Sequence, residues 1–172
     1  MDGTAYIGLG SNMGDRLANL QGACRLLRED GTKILASSAL YQSDPMYLND
    51  QPAFLNGVIA IRYTGSPHDL LAGLLAHERT LGRVRSVPNG PRTIDLDVVL
   101  LGAEGEMVVD SPELAVPHPL MTERPFVLTP LAEIAGELVH PVLGKTISTL
   151  SLECGSEGIQ FYCQPSWVSG DT

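Results

Sequence analysis

Two aspartates, Asp95 and Asp97, stand one residue apart in the stretch Gly90-Pro91-Arg92-Thr93-Ile94-Asp95-Leu96-Asp97-Val98-Val99-Leu100-Leu101. On a strand, residues i and i+2 face the same side, with Cα atoms about 6.7 Å apart. Two bare carboxylates at that spacing repel by about 2–3 kcal/mol at an effective dielectric of about 20. A divalent cation turns the liability into a site. Mg²⁺ takes oxygen ligands at about 2.0–2.1 Å and keeps waters or phosphate oxygens in its other positions. Two such ions about 3.5–4 Å apart can share an acidic pair and clamp a transferring phosphoryl group. Taken alone, two acids flanking one residue read more readily as the solvent face of an edge strand. The neighbours change that reading: Arg92 lies three residues upstream, and Arg83 and Arg85 lie across the preceding loop. Guanidinium forks grip phosphate oxygens in pairs, and cations beside a metal pair are what a triphosphate requires.

The charge balance bears on partners. Eleven Lys and Arg against twenty Asp and Glu leave a net charge of −9, which argues against a nucleic-acid binder with a broad basic face. Nine of the eleven bases are Arg, and four of them (Arg79, Arg83, Arg85, Arg92) fall in one stretch that no acid interrupts. Charge counting alone favours a solvated basic loop there, with a small bound polyanion as the alternative. The usual nucleotide signatures are absent: no P-loop pattern occurs, and Gly8-Leu9-Gly10 lacks the dinucleotide spacing. Three cysteines without metal-site spacing (Cys24, Cys154, Cys163) read as free thiols in a reducing, cytoplasmic setting. No apolar stretch approaches the ~18 residues of a membrane span, and Met1-Asp2-Gly3 has no secretory character.

The elements that must position these groups follow from periodicity. Ala5, Ile7 and Leu9 alternate with Tyr6, Gly8 and Gly10, which predicts a strand with one bare face. Ser11 to Asp15 has helix-start chemistry, and Leu17, Leu20, Cys24 and Leu27 form one helical stripe ended by Asp30-Gly31. Ile34–Tyr41 reads as a second strand, Ser43–Pro52 as a loop, and Phe54–Tyr63 as a third strand. Ser66-Pro67-His68-Asp69 opens a second helix, which Gly82 closes. Ile94–Leu101 is a fourth strand, with a short strand near Met107–Val109. Met121–Ala135 reads as helix interrupted by Pro125 and Pro130, and the tail as a short helix plus a peripheral strand. The order strand–helix–strand–strand–helix–strand is the split βαβ, ferredoxin-like α+β arrangement, an antiparallel sheet with helices packed on it and a C-terminal extension. A length of 172 residues reads as one domain, 1–172.

These residues resemble a known family, the hydroxymethyldihydropterin pyrophosphokinases of folate biosynthesis. Tyr6-Ile7-Gly8-Leu9-Gly10-Ser11-Asn12 is similar to the family's opening strand, and Asp50-Gln51-Pro52-Ala53-Phe54-Leu55-Asn56 to its pterin segment. Gly82-Arg83-Val84-Arg85 followed by Gly90 to Asp97 resembles its signature, and Val116-Pro117-His118-Pro119 with Arg124 and Phe126 its later contacts. The resemblance implies transfer of pyrophosphate from ATP to the hydroxymethyl group of the reduced pterin, with two Mg²⁺ ions. It implies that Asp95 and Asp97 hold the metals and that Arg83 and Arg92 stabilise the phosphates. Glu78, Arg85, His118 and Arg124 would lie on the nucleotide side. Phe54 and Phe126 would sandwich the pterin, Asn56 would read its edge, and Ser43 and Pro45 would line the same pocket. The implied partners are these small molecules, not nucleic acid or membrane, with the product passing to dihydropteroate synthase. The chain departs from the family at Asn89, where an aromatic is common, and at Pro119, where a Tyr is frequent. Two rivals stand beside this reading: a non-catalytic ligand-binding module of the same fold, and the same chemistry on a different acceptor alcohol.

Overall fold

The alternating apolar residues of β1 (Asp2–Ser11) place that strand between two partners in a six-stranded antiparallel sheet. This is a computed structural model, and it describes residues 2–84 and 88–169. After β1 come α1 (Arg16–Glu29), β2 (Lys33–Ser37), β3 (Leu40–Ser43), β4 (Phe54–Thr64), α2 (Pro67–Thr80) and β5 (Asp95–Leu101). Beyond β5 lie a two-residue hairpin of β6 (Val109–Asp110) and β7 (Ala115–Val116), then α3 (Pro125–Ala135), α4 (Ile147–Cys154) and β8 (Ile159–Cys163). The sheet runs β5-β1-β4, β2 and β3 share the far edge of β4, and β8 adds beyond β3.

Each face of the sheet buries a different set of residues. Ala5, Ile7, Leu9, Ile59 and Ile61 pack with Leu20, Leu27, Leu70 and Leu74 of α1 and α2. Tyr6, Val58, Ala60 and Val99, on the alternate positions, pack with Leu128, Leu131, Ile147 and Leu150 of α3 and α4. The sheet is therefore covered on both faces, as a period of two with apolar residues in both registers demands. The helix starts are chemically explicit. The Asp15 carboxylate accepts from Ala18 N–H at 3.0 Å. Ser66 and Asp69 form a reciprocal capping box, at 3.1 Å and 2.9 Å. Gly82, at φ +90°, turns the chain out of α2 toward Arg83.

Three sequence expectations need revision. Ile34–Tyr41 is not one strand but two, β2 and β3. The break falls at Ser38-Ala39, where Ser38 N–H still donates to the Val58 carbonyl at 2.9 Å but side chains take the other bonds. The Ser38 hydroxyl accepts from Val58 N–H at 2.9 Å, and Trp167 Nε1 donates to the Ser38 carbonyl at 2.8 Å. Ala39 N–H donates to Glu133 Oε2 at 3.0 Å. Pro130 does not interrupt its helix: α3 runs through it, while Pro125 begins α3 after a separate 3₁₀ turn at Met121–Glu123. Burial of Pro130, Leu128 and Leu131 against the sheet outweighs the one missing donor. The short strand near Met107–Val109 lies two residues later, at Val109–Asp110. The tail does hold a short helix and a peripheral strand.

Candidate functional site

The acidic pair sits opposite the two glycines of β1. Gly10 pairs with Asp95 and Gly8 with Asp97, so the bare positions lie beside the carboxylates. Both aspartates line one cleft, on the same side of β5. Asp95 is engaged from two directions. Its Oδ1 accepts from an Arg83 Nη at 2.8 Å, and its Oδ2 lies 3.4 Å from Arg92 Nε. Asp97 has a different environment. Burial first, and then the negative charge of Asp95, push its carboxyl up to about 7, against the pull of Arg124 and Arg83. A carboxyl raised in this way is short of positive charge. Its hard oxygen donors and those of Asp95 fit a divalent cation of the Mg²⁺ type. Among the described residues no trio of His, Cys, Asp and Glu is gathered as a metal cage, so such an ion would complete its shell with water and phosphate oxygens.

Arg83 is fixed by three acceptors: Glu78 Oε1 at 3.0 Å, the Ile94 carbonyl at 3.1 Å and Asp95. Glu78 is buried near the end of α2, and its Oε1 also takes the Leu96 N–H at 2.9 Å. It therefore stands behind Arg83 and couples α2 to β5. Arg92 is held through its backbone by Asn12: its N–H donates to Asn12 Oδ1 at 2.8 Å, and its carbonyl accepts from Asn12 N–H at 3.2 Å. Its buried Nε has no hydrogen-bond acceptor among the described residues. Arg85 lies outside the described residues. His118 follows the cis Val116–Pro117 bond and lines the cleft. Burial and the nearby Arg124 charge lower its pKa to about 4, against the pull of Asp95. Its Nδ1 accepts from Leu120 N–H at 3.1 Å, so the neutral ring carries its proton on Nε2.

The acids share one space of about 710 Å³, open mouth included, with a slot of polar and aromatic residues. Asn56 Nδ2 donates to Ser43 Oγ at 2.6 Å, both side chains buried. A Cβ on Gly10 would stand 3.0 Å from Asn56 Oδ1 and 3.8 Å from the Phe54 ring, so the glycine leaves the slot its depth. Phe54 and Phe126 are wall residues, and each ring carries an arginine: Arg92 at 4.7 Å and Arg124 at 5.6 Å. Asp44, Met46 and Tyr47 supply the rim, with Pro45 in the stretch between them. Thus Ser43, Phe54, Asn56, Arg92, Asp95, Asp97, His118, Arg124 and Phe126 border one space, Arg83 borders its outer part, and Glu78 stands behind.

Three residues in or beside this cleft carry contacts that sequence reasoning did not assign. Asn12 Nδ2 donates to Gln51 Oε1 at 2.9 Å and to the Pro52 carbonyl at 3.0 Å. Gln51 Nε2 donates onward to the Leu48 and Asn89 carbonyls, at 2.7 and 2.9 Å. Tyr47 lies under Arg124, 5.2 Å from its guanidinium carbon, accepts from Arg124 Nε at 3.0 Å and donates to Glu123 at 3.2 Å. The available signal was Asn12 at a strand end and an amide in a proline-flanked loop, since such side chains bond neighbouring backbone.

The fold is mixed α/β, and its cleft joins an acid-and-arginine end to an aromatic slot. The family of 7,8-dihydro-6-hydroxymethylpterin-pyrophosphokinases (HPPK) matches residues 6–136, and the chain belongs to it. The folic acid synthesis protein fol1 of Pneumocystis carinii is 45% identical over 144 residues, 84% of this chain and 19% of its own length. The 2-amino-4-hydroxy-6-hydroxymethyldihydropteridine pyrophosphokinase of Pseudomonas aeruginosa is 44% identical over 156 residues, 90% of this chain and 94% of its own. A wild-type Plasmodium falciparum HPPK-DHPS crystal structure with pteroate superimposes with a TM-score of 0.74 at 14% identity. It covers 94% of this chain and 48% of that one. The chain thus spans about a fifth of the fol1-type relatives, 19% and 21% of two of them, but nearly all of the bacterial pyrophosphokinase. Among the described residues, no helix is long and apolar enough to cross a membrane.

Proposed function

We propose that this chain transfers the β,γ-pyrophosphoryl unit of ATP to the hydroxymethyl oxygen of 6-hydroxymethyl-7,8-dihydropterin, giving the pterin diphosphate and AMP, in tetrahydrofolate biosynthesis. The observation that carries the reading is the continuity of the cleft: Asp95, Asp97 and Arg92 border the same space as Phe54, Asn56 and Phe126. A polyphosphate at one end therefore meets a flat polar ring at the other.

The roles follow from chemistry. Phosphoryl-type transfer asks a protein mainly to position groups and neutralise charge. Asp95 and Asp97 would hold two Mg²⁺ ions, which when bound neutralise phosphate charge. Arg83 and Arg92 turn their forks to the oxygens of the transferring group, and Arg83 is already held in place by Glu78 and the Ile94 carbonyl. His118, as a neutral donor, and Arg124 bond nucleotide phosphates from the opposite wall, with Arg85 on the same side. Asn56 and Ser43 read the amide-like pterin edge, the stretch through Pro45 closes that end, and Phe54 and Phe126 flank the ring.

The strand order β5-β1-β4 with β2 and β3 beyond supports a ferredoxin-like core in a single domain, 1–172. Unpaired cysteines suit a cytoplasmic enzyme. The Plasmodium falciparum protein carries the joint name HPPK-DHPS, which supports delivery of the product to a dihydropteroate synthase.

Incubating the protein with ATP, Mg²⁺ and the reduced pterin tests the reaction. One AMP per pterin consumed is expected, with none from sugar alcohols. Binding without AMP would leave only a ligand-binding module, and turnover on sugars alone would move the acceptor elsewhere.

A further inference from the structure

Glu133 makes two bonds that the proposed reaction does not use. Its Oε2 accepts the Ala39 N–H at 3.0 Å, and its Oε1 accepts the Tyr41 hydroxyl. Glu133 is an exposed residue of α3, where a glutamate ordinarily does no more than face water. Here it spans to the sheet. Ala39 is buried at the break between β2 and β3, so its N–H has no ladder partner, and leaving such a group unpaired is costly. Tyr41 is gripped on its other side by the Phe161 ring, edge-on at 6.2 Å. Burial, and then the bond to Glu133 and its charge, push the Tyr41 hydroxyl up to about 12, so it stays a donor at any working pH.

Both ends of this clamp lead into the slot. Tyr41 pairs in register with Asn56 and stands two residues from Ser43 on β3; Ser43 and Asn56 are the bonded pair at the slot's polar end. On α3, Phe126 precedes Glu133 by seven residues, which is two helical turns on the same face, about 10 Å along the axis. The carboxylate therefore ties the helix that carries one aromatic wall to the strand that carries the polar end. Nothing in it touches the phosphate end, where Arg83 and Arg92 are held by α2, β5 and Asn12.

We propose that Glu133, through Tyr41 and Ala39, is a positioning residue that sets the distance between Phe126 and the Ser43–Asn56 pair, and so determines pterin affinity without acting on ATP. The proposal rests on the slot being the pterin's seat.

Steady-state kinetics of the full chain test it, with each substrate varied at saturation of the other, well below the unfolding midpoint. Glu133→Ala is expected to raise the KM for pterin about fivefold, the equivalent of one lost hydrogen bond, and to leave the KM for ATP within about twofold. Glu133→Gln keeps an oxygen for Ala39 and offers an N–H to the Tyr41 oxygen, and should restore most of the affinity. Tyr41→Phe removes one bond of the two and should give an intermediate KM, which also serves if Glu133→Ala does not fold. A pterin KM unmoved in Glu133→Ala or Tyr41→Phe overturns the proposal, as does a parallel rise in both KM values that Glu133→Gln fails to reverse. The wild type separates the two readings. If it releases no AMP with pterin, the reaction itself is wrong. If it is active while the variants' pterin KM stays put, only the positioning role falls.

Discussion

Asn12 and Arg92 are locked together through their backbones and one amide: Asn12 Oδ1 accepts the Arg92 N–H at 2.8 Å, and Asn12 N–H donates to the Arg92 carbonyl at 3.2 Å. The other end of the same amide holds Gln51 and Pro52. One buried side chain therefore joins the loop before Phe54 to the segment that aims Arg92. Asn12→Ala should cost about 1–3 kcal/mol of stability, from polar groups left unpaired, and lower kcat about tenfold or more. The informative measurement is a double-mutant cycle. If Asn12 acts by aiming Arg92, then Asn12→Ala added to Arg92→Ala lowers kcat no further. Full additivity would show that the two residues work separately.

The crowding of Asp97 by burial and by Asp95 predicts opposite effects on activity and stability. Asp97→Asn should abolish turnover, because half the pair proposed to hold the metal is gone. The same substitution should raise the unfolding midpoint of the metal-free protein at pH 8, where two nearby carboxylates repel and one is poorly hydrated. The gain expected is about 1–2 kcal/mol, given how far burial and Asp95 raise this carboxyl. In the wild type, Mg²⁺ should raise the midpoint, and in the variant much less. A metal-free variant less stable than the wild type would mean that the Asp97 carboxylate is a structural acceptor instead.

Much of this site was legible because its parts are local. The alternation of β1, the helix start at Ser66 and the same-side aspartates of β5 are short-range patterns, and each appears where the spacing places it. The break at Ser38-Ala39 was not legible, because its cause lies in Trp167 and Glu133, far along the chain. Pro130 misled for a related reason: a proline costs a helix one bond, but tertiary burial of Leu128 and Leu131 decides whether the helix persists. Asn12 could be placed at a turn from sequence, yet its four bonds to Gln51, Pro52 and Arg92 depend on two loops meeting across the end of the sheet.

Phe54 presents its ring to the Arg92 guanidinium at 4.7 Å, so the slot's wall and its cation are in contact before any substrate arrives. Phe54→Ala should weaken pterin binding by one to two orders of magnitude, about what loss of a buried stacking ring costs. ATP binding should change by no more than about threefold. Calorimetry with a non-hydrolysable ATP analogue, followed by pterin, measures both. Equal weakening of the two ligands would mean that Phe54 serves mainly to support Arg92.

His140, which does not line the cleft, should set part of the acid limb of stability. Its ring is buried, and its Nδ1 accepts two backbone N–H groups, Val142 at 3.2 Å and Leu143 at 3.1 Å. Burial lowers its pKa from the ordinary histidine value of 6.5. The unfolded chain then binds more protons than the folded one in the window below pH 6.5, so stability falls as pH drops through that window toward the lowered folded value. Protonation of Nδ1 would turn an acceptor toward two donors and open the turn. His140→Asn supplies an oxygen acceptor that does not titrate. Chemical denaturation of the two proteins between pH 7.5 and 5 should show a steeper loss for the wild type. Parallel curves would mean that this turn survives protonation.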